Sequence, residues 1–340
     1  MGGRMRHRAA FLAAIVATVV VACGGGGGTP APAEEAAKSL LQMDLVPSNN
    51  PGSVLSNGQA IADYLSKEVG VPVKAVVPTS YAAVVEDLTS NNADIGWSGA
   101  VAYVAARNRG GAEAVTVSQR CVPDLVSPTL PSPCTPQSSY PSIIICRSDV
   151  AYTGALNDPA RLTQLKGKRM AFGDPISGSS SIWPKYYLKK AGVDPDHDFS
   201  KAVSISSQSA IALAVYNGTV DCGAMFGDAR QGGPYRTAPD IFSKTKAVFN
   251  APQMVPGDPQ YVRKKLNSKQ KAKVAAAMLK LGTDPSMKAT LLALYSIAGM
   301  GPAHDSDYNI IQSYADTVKP GILGEVVASP SPVPSPSPSK

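Results

Sequence analysis

Residues 168–181 run Lys-Arg-Met-Ala-Phe-Gly-Asp-Pro-Ile-Ser-Gly-Ser-Ser-Ser, a short apolar run followed by a glycine, a proline and a cluster of serines. The apolar part, 168–173, has the length of a buried strand. Asp174-Pro175 breaks it, and 179–191 then carries a helical pattern closed by Gly192. A strand that leaves through such a loop into a helix gathers hydroxyls and flexible backbone N–H groups at a helix N-terminus. There the unpaired amides and the macrodipole favour an anion. Charge-assisted bonds of this kind are worth about 1.5–3 kcal/mol each, so four or five hold a dianion without any arginine.

The pattern repeats downstream. A strand at 202–205 leads through Ser206-Ser207-Gln208-Ser209 into a helix at 207–217 closed by Gly218, and a strand at 220–226 follows. Ser207 and Gln208 therefore sit at a second helix start, and two such starts can converge on one tetrahedral group. Gly-x4-Gly-Lys-Ser/Thr is absent, which disfavours a nucleoside triphosphate.

Upstream, strands at 40–46, 71–77 and 94–97 alternate with helices at 56–69 and 80–91. Ser56 with Gln59 three residues on has capping-box spacing, and Tyr81, Val84, Val85 and Leu88 fall on one face. This β-α-β-α-β order gives parallel strands with right-handed crossovers. A strand at 142–147 opens the second unit. Two α/β units in series imply a cleft between them, and ligands of open α/β sheets sit at the carboxyl ends of strands, here after Gly173, Ile205 and Phe226.

At the N-terminus, Arg4, Arg6 and Arg8 precede an apolar run of 14 residues, 9–22. That is the pattern of a secretory signal, and it is shorter than the roughly 20 residues a spanning helix needs. Val20-Val21-Ala22-Cys23 resembles the bacterial lipobox, with five glycines after it. The resemblance implies cleavage before Cys23, acylation of its thiol, and a lipid-anchored chain exported to the outer face of the cytoplasmic membrane or the periplasm. Without 1–22 the formal charge falls from +7 to +4, and the lysines lie among acidic residues with no uninterrupted basic block, so nucleic acid is not expected as a partner.

Besides Cys23 there are four cysteines, an even number in an exported chain. Of the three possible connectivities, Cys121–Cys134 is favoured because the pair brackets a Pro/Ser-rich loop, which leaves Cys146–Cys222. The paired Cys-x-x-Cys spacing of a zinc site is missing, and neither a metal nor a cofactor is implied.

The segments 165–175, the serine loop, Pro184 and 188–192 resemble the phosphate/phosphite/phosphonate-binding family of ABC-transporter substrate-binding proteins. So do 214–224, with the pattern Ala-Val-x-x-Gly-x-x-Asp-x-Gly-Ala, and Tyr81-Ala82-Ala83-Val84-Val85, 93–97 and Pro256-Gly257-Asp258-Pro259. The resemblance spans 41–266. It implies the type II periplasmic-binding-protein fold, an α/β architecture of two lobes joined by two crossover segments. It further implies a monomer that carries a small phosphorus oxyanion to a permease and its ATPase.

The family's Ser-Thr-Ser contact run falls on Ser177, Gly178 and Ser179, with glycine in place of threonine. Its histidine at the second helix start falls on Gln208, and its cleft tyrosines fall on Tyr81 and Tyr140. Its acidic residues, which hold the organic part of aminated ligands in some members, fall on Asp228 and Asp258. A carboxylate repels an anion unless a ligand proton or an ammonium intervenes, so these two select ligand chemistry.

An enzyme on this scaffold would need a nucleophile with a base in reach. His197 and His304 both read as solvated, and Gly96-Trp97-Ser98-Gly99-Ala100 is one residue short of the nucleophile elbow. Trp97 and Trp183 read as packing residues, and the basic run at 263–273 as a solvated helix face. The expected organisation is a signal peptide at 1–22, a tether at 23–39, one lobe from 40–140 plus 253–325, a second lobe at 141–252, and a Ser/Pro-rich tail at 326–340. Hinges are expected near 139–143 and 251–261. A lipoprotein that senses the same ligand is the alternative to an importer component.

Overall fold

The computed structural model describes residues 35–129 and 131–324. The expected signal peptide, Cys23, the tether before residue 35 and the Ser/Pro-rich tail lie outside the described residues.

The chain begins β1 (Leu41–Leu45), α1 (Pro51–Val69), β2 (Val73–Val76), α2 (Tyr81–Thr89), β3 (Ile95–Trp97), α3 (Ala100–Asn108) and β4 (Ala112–Gln119). It continues with β5 (Ser139–Tyr140), β6 (Ser142–Arg147), β7 (Arg169–Phe172), α4 (Trp183–Lys190), β8 (Lys201–Ser204), α5 (Gln208–Tyr216) and β9 (Cys222–Phe226). After α6 (Gly233–Thr237), α7 (Ile241–Lys244) and β10 (Thr245–Asn250) come β11 (Val255–Pro256), β12 (Pro259–Arg263), α8 (Ser268–Leu281), α9 (Lys288–Tyr295), β13 (Gly299–Pro302) and α10 (Ile310–Val318).

These strands form two sheets, β13-β4-β12-β3-β1-β2 and β10-β6-β9-β7-β8, plus a two-stranded ladder of β11 with β5. Strand β1 runs parallel to β2 and β3, and β7 parallel to β8 and β9, whereas β12, β4, β13, β6 and β10 pair antiparallel. The chain crosses between the sheets twice, and the two crossings pair as Val255 with Tyr140 and Pro256 with Ser139. Two sheets joined by two crossings make two lobes, each with its parallel strands ending toward the other.

Helix α1 starts five residues before the Ser56 start expected from sequence. Asn50 caps it by accepting from Ser53 N at 3.1 Å, and Pro51 occupies the first turn, where its missing N–H costs nothing. The capping-box spacing at Ser56 is therefore interior to the helix. Met43, Leu45, Ile61 and Leu65 are wholly buried and seal α1 to the first sheet. The helix expected at 179–191 is broken into a π-type turn over Gly178–Ile182, with Ile182 N bonded to Ser177 O at 3.0 Å, and then α4. Such single π turns concentrate at functional sites because the extra residue re-aims the groups around it. Helix α3 and the antiparallel strands β4, β10, β12 and β13 were not foreseen.

The structure joins Cys121 to Cys134 and Cys146 to Cys222. The second bridge links residues that face each other across β6 and β9. Trp97 is fully buried, and Trp183 donates its indole N–H to Gln253 O at 2.9 Å while stacking on Tyr314.

Candidate functional site

Between the lobes lies a cavity of about 20 Å³, counted as the space open to the centre of a water molecule. It is lined by Val46, Ser48, Tyr81, Gly99, Arg120, Tyr140, Ser177, Gly178, Ser179, Gln208, Phe226, Asp258 and Tyr295. A space of that size takes a compact guest of a few atoms.

Four helix starts meet at this point. Tyr81 opens α2 and Gly99 precedes α3 from one lobe, while Ser177–Ser179 lead into the π turn and Gln208 opens α5 from the other. Each contributes partial positive charge from amides that lack intrahelical acceptors. Every one of these starts follows a parallel strand, which is why the sites collect at strand carboxyl ends.

The local chemistry orients donors inward. Ser180 donates to Ser177 Oγ at 2.7 Å, which leaves the Ser177 proton for another acceptor. Phe226 N–H donates to Gln208 Oε1 at 2.7 Å, so the amide oxygen is committed and the NH2 group is the one left to donate. Burial first, and then the carboxylates Asp174 and Asp258, hold the Tyr81 phenol well above its ordinary range, and burial does the same at Tyr140 and Tyr295. All three stay neutral hydroxyls.

A Cβ on Gly178 would stand 2.9 Å from Val255 Cγ1 in the crossover ladder, so glycine is what lets the serine loop reach the other crossing. Asp258 faces the cavity with Tyr140 Oη on Oδ1 at 2.8 Å and Arg120 Nη2 on Oδ2 at 2.6 Å.

Of the residues singled out from sequence, Tyr81, Tyr140, Ser177, Gly178, Ser179, Gln208 and Asp258 line this cavity, and two do not. Ser207 caps α5, accepting from Ala210 N at 3.3 Å, and lines an outer cavity instead. Asp228 is buried away from the cavity. Arg230 donates Nε to both its oxygens at 3.0 Å and Nη2 to Oδ2 at 2.6 Å, so the carboxylate is consumed by a fold contact.

Sequence reasoning missed Ser48, Gly99, Arg120 and Tyr295. Ser48 in Pro47-Ser48-Asn49-Asn50 sits between a strand and a helix, the same signature that marked the serine loop, and was there to be found. Nothing local marks Arg120, which follows β4 directly, or Tyr295 at the end of α9.

Two facing α/β lobes with a polar cavity at their strand ends define a binding protein of the periplasmic type II fold. The family described as ABC transporter, phosphonate, periplasmic substrate-binding protein matches residues 43–308, and the chain belongs to it. It is 26% identical over 263 residues to the phosphonates-binding periplasmic protein of Escherichia coli, covering 77% of this chain and 72% of that one. It is 28% identical to the phosphate-import protein PhnD of Mycolicibacterium smegmatis, over 66% of each chain. In fold it is similar to PhnD1 of Prochlorococcus marinus in complex with methylphosphonate, with a TM-score of 0.68 at 21% identity, covering 83% of this chain and 99% of that one.

Proposed function

We propose that this protein is the solute-binding component of an ABC importer and captures a small phosphorus oxyanion between its lobes. One observation carries the reading: four helix starts, bringing the Tyr81, Ser177 and Ser179 hydroxyls and the Gln208 amide, line one small cavity. The guest's charge is met by Tyr81, Ser177, Ser179, the Gln208 amide, and backbone N–H at Gly178 in place of the family's threonine. Tyr140 and Asp258 complete the wall.

The lobes comprise 40–140 plus 253–325 and 141–252, hinged at the β5–β11 ladder. Closing them expels water and buries the anion, and the closed form docks on the permease. Ligand drives closure through contacts that exist only when the lobes meet. The chain is exported, and Cys23 carries a lipid that tethers it as a monomer beside its permease.

A catalytic reading finds less support, since among the described residues the cavity lining has no histidine and His197 sits in an exposed turn bonded to Asp194 at 2.9 Å. Isothermal titration of the purified protein with phosphate, phosphite and methylphosphonate tests the proposal. At least one should bind with micromolar or tighter affinity, and none binding below millimolar would overturn the ligand class.

A further inference from the structure

We propose that Arg120 sets the ligand chemistry of this cavity. It neutralises Asp258 and offers the guest a cationic donor, so that the site takes a compact phosphorus oxyanion and rejects one carrying an ammonium. The inference rests on the function proposed above and narrows it.

An aminoalkyl substituent needs two things, an uncompensated carboxylate for its ammonium and space for its chain. Neither is present. The carboxylate facing the cavity, Asp258, takes Arg120 Nη2 at 2.6 Å and the Tyr140 hydroxyl at 2.8 Å. The other acidic candidate, Asp228, is wholly engaged by Arg230 and does not reach the cavity. A cationic group brought beside Asp258 would also meet the Arg120 guanidinium, a like charge in a site from which water is excluded.

Space gives the same answer. The inner cavity is only about 20 Å³, and Phe226 lines both it and an outer cavity of about 450 Å³. A substituent reaching that outer cavity would find, among the described residues, Arg236 as the charged residue of its lining and no carboxylate.

Arg120 is built into position rather than left on the surface. Its Nε donates to Tyr295 O at 2.9 Å, and its guanidinium lies 4.7 Å from the centre of the Tyr140 ring. Its backbone N–H and C=O exchange bonds of 2.9 and 2.8 Å with Gln137 across the loop that the Cys121–Cys134 bridge closes. Its Nη1 is buried with no hydrogen-bond partner among the described residues. A buried charged donor without a partner is costly, and an anionic oxygen in the cavity is what would satisfy it.

The test is calorimetric titration of the wild-type protein and of Arg120→Gln and Arg120→Lys with phosphate, phosphite, methylphosphonate and 2-aminoethylphosphonate. Wild type should bind the best of the first three at least about 100-fold more tightly than the aminated ligand. Arg120→Gln should weaken the inorganic anions by about 10-fold or more and move the preference toward 2-aminoethylphosphonate by a similar factor, while Arg120→Lys keeps the wild-type order.

Wild type binding the aminated ligand as tightly as phosphate, or an unchanged order in Arg120→Gln, would overturn the inference and leave the proposed function standing. Binding of none of the four by wild type would remove both. Should circular dichroism show Arg120→Gln unfolded, the wild-type order and the Arg120→Lys order decide.

Discussion

Gly178 shows how one missing side chain can be a requirement rather than a loss. The threonine that the family resemblance implies would supply a hydroxyl here, yet its Cβ would press on Val255 at 2.9 Å. Gly178→Thr is therefore expected to weaken oxyanion binding by about 10-fold or more instead of strengthening it, with Gly178→Thr/Val255→Ala recovering most of the loss. Titration calorimetry on the pair checks this, and a tighter single variant would refute the steric account.

Asp44 makes a second prediction at this scale. It lies wholly buried at the end of β1, and burial, with Asp87 adding to it, pushes its carboxyl from 3.8 up to about 7. The folded protein then binds a proton that the unfolded chain has released, so stability falls as pH rises across the window from about 4 to 7 and is regained on acidification. Asp44→Asn keeps an acceptor for Gln42 Nε2 and carries no charge at any pH, so urea midpoints measured from pH 4 to 8 should lose that downward slope. A slope identical to wild type would show that Asp44 does not titrate there.

Among the elements, β6 and β9 are held both by their ladder and by Cys146–Cys222, which closes a separation of 76 residues. Replacing both cysteines by serine should cost about 2–4 kcal/mol in urea unfolding through the larger freedom of the unfolded chain. The bridge lies four residues from Phe226, roughly 13 Å along the strand from the cavity, so the affinity of the folded variant should be unchanged. A loss of affinity at full folding would mean that the bridge shapes the site.

The elements also show what was legible beforehand. The parallel strands and their crossover helices were readable because apolar runs and 3.6-residue patterns are local, and Gly192 and Gly218 do adopt positive φ after α4 and α5. The start of α1 was misplaced because Ser56 and Asn50 both offer capping chemistry, and only the turn actually made selects between them. The antiparallel partners β4, β12 and β13 were not legible, since pairing across the sheet depends on residues more than a hundred positions apart.

For the molecule as a whole, the closure proposed above would rest on bonds between the lobes. Gln208 N donates to Ser48 O at 2.9 Å, Tyr81 N to the Asp174 carboxylate at 3.2 Å, and Ser209 Oγ to Asn49 Oδ1 at 3.1 Å. Ser209 lies outside the inner cavity, so Ser209→Ala removes a closing contact without touching the proposed site. Its ligand dissociation constant should rise by about 2- to 10-fold, mostly through faster release, as stopped-flow and calorimetry would show. No change would mean that this bond does not favour the closed form.

The chain's order of residues was enough to establish two α/β units, two hydroxyl-bearing helix starts and the family resemblance, because each depends on periodicity or on a contiguous motif. Of the nine residues it singled out by motif, seven line the cavity and Asp228 and Ser207 do not, because a motif cannot say whether a carboxylate is claimed by a neighbour such as Arg230. Tertiary structure alone brought Arg120, from the end of β4, onto Asp258, 138 positions along the chain. The sign and strength of charge in a buried pocket are set by which groups meet there, and that meeting is a property of the folded chain.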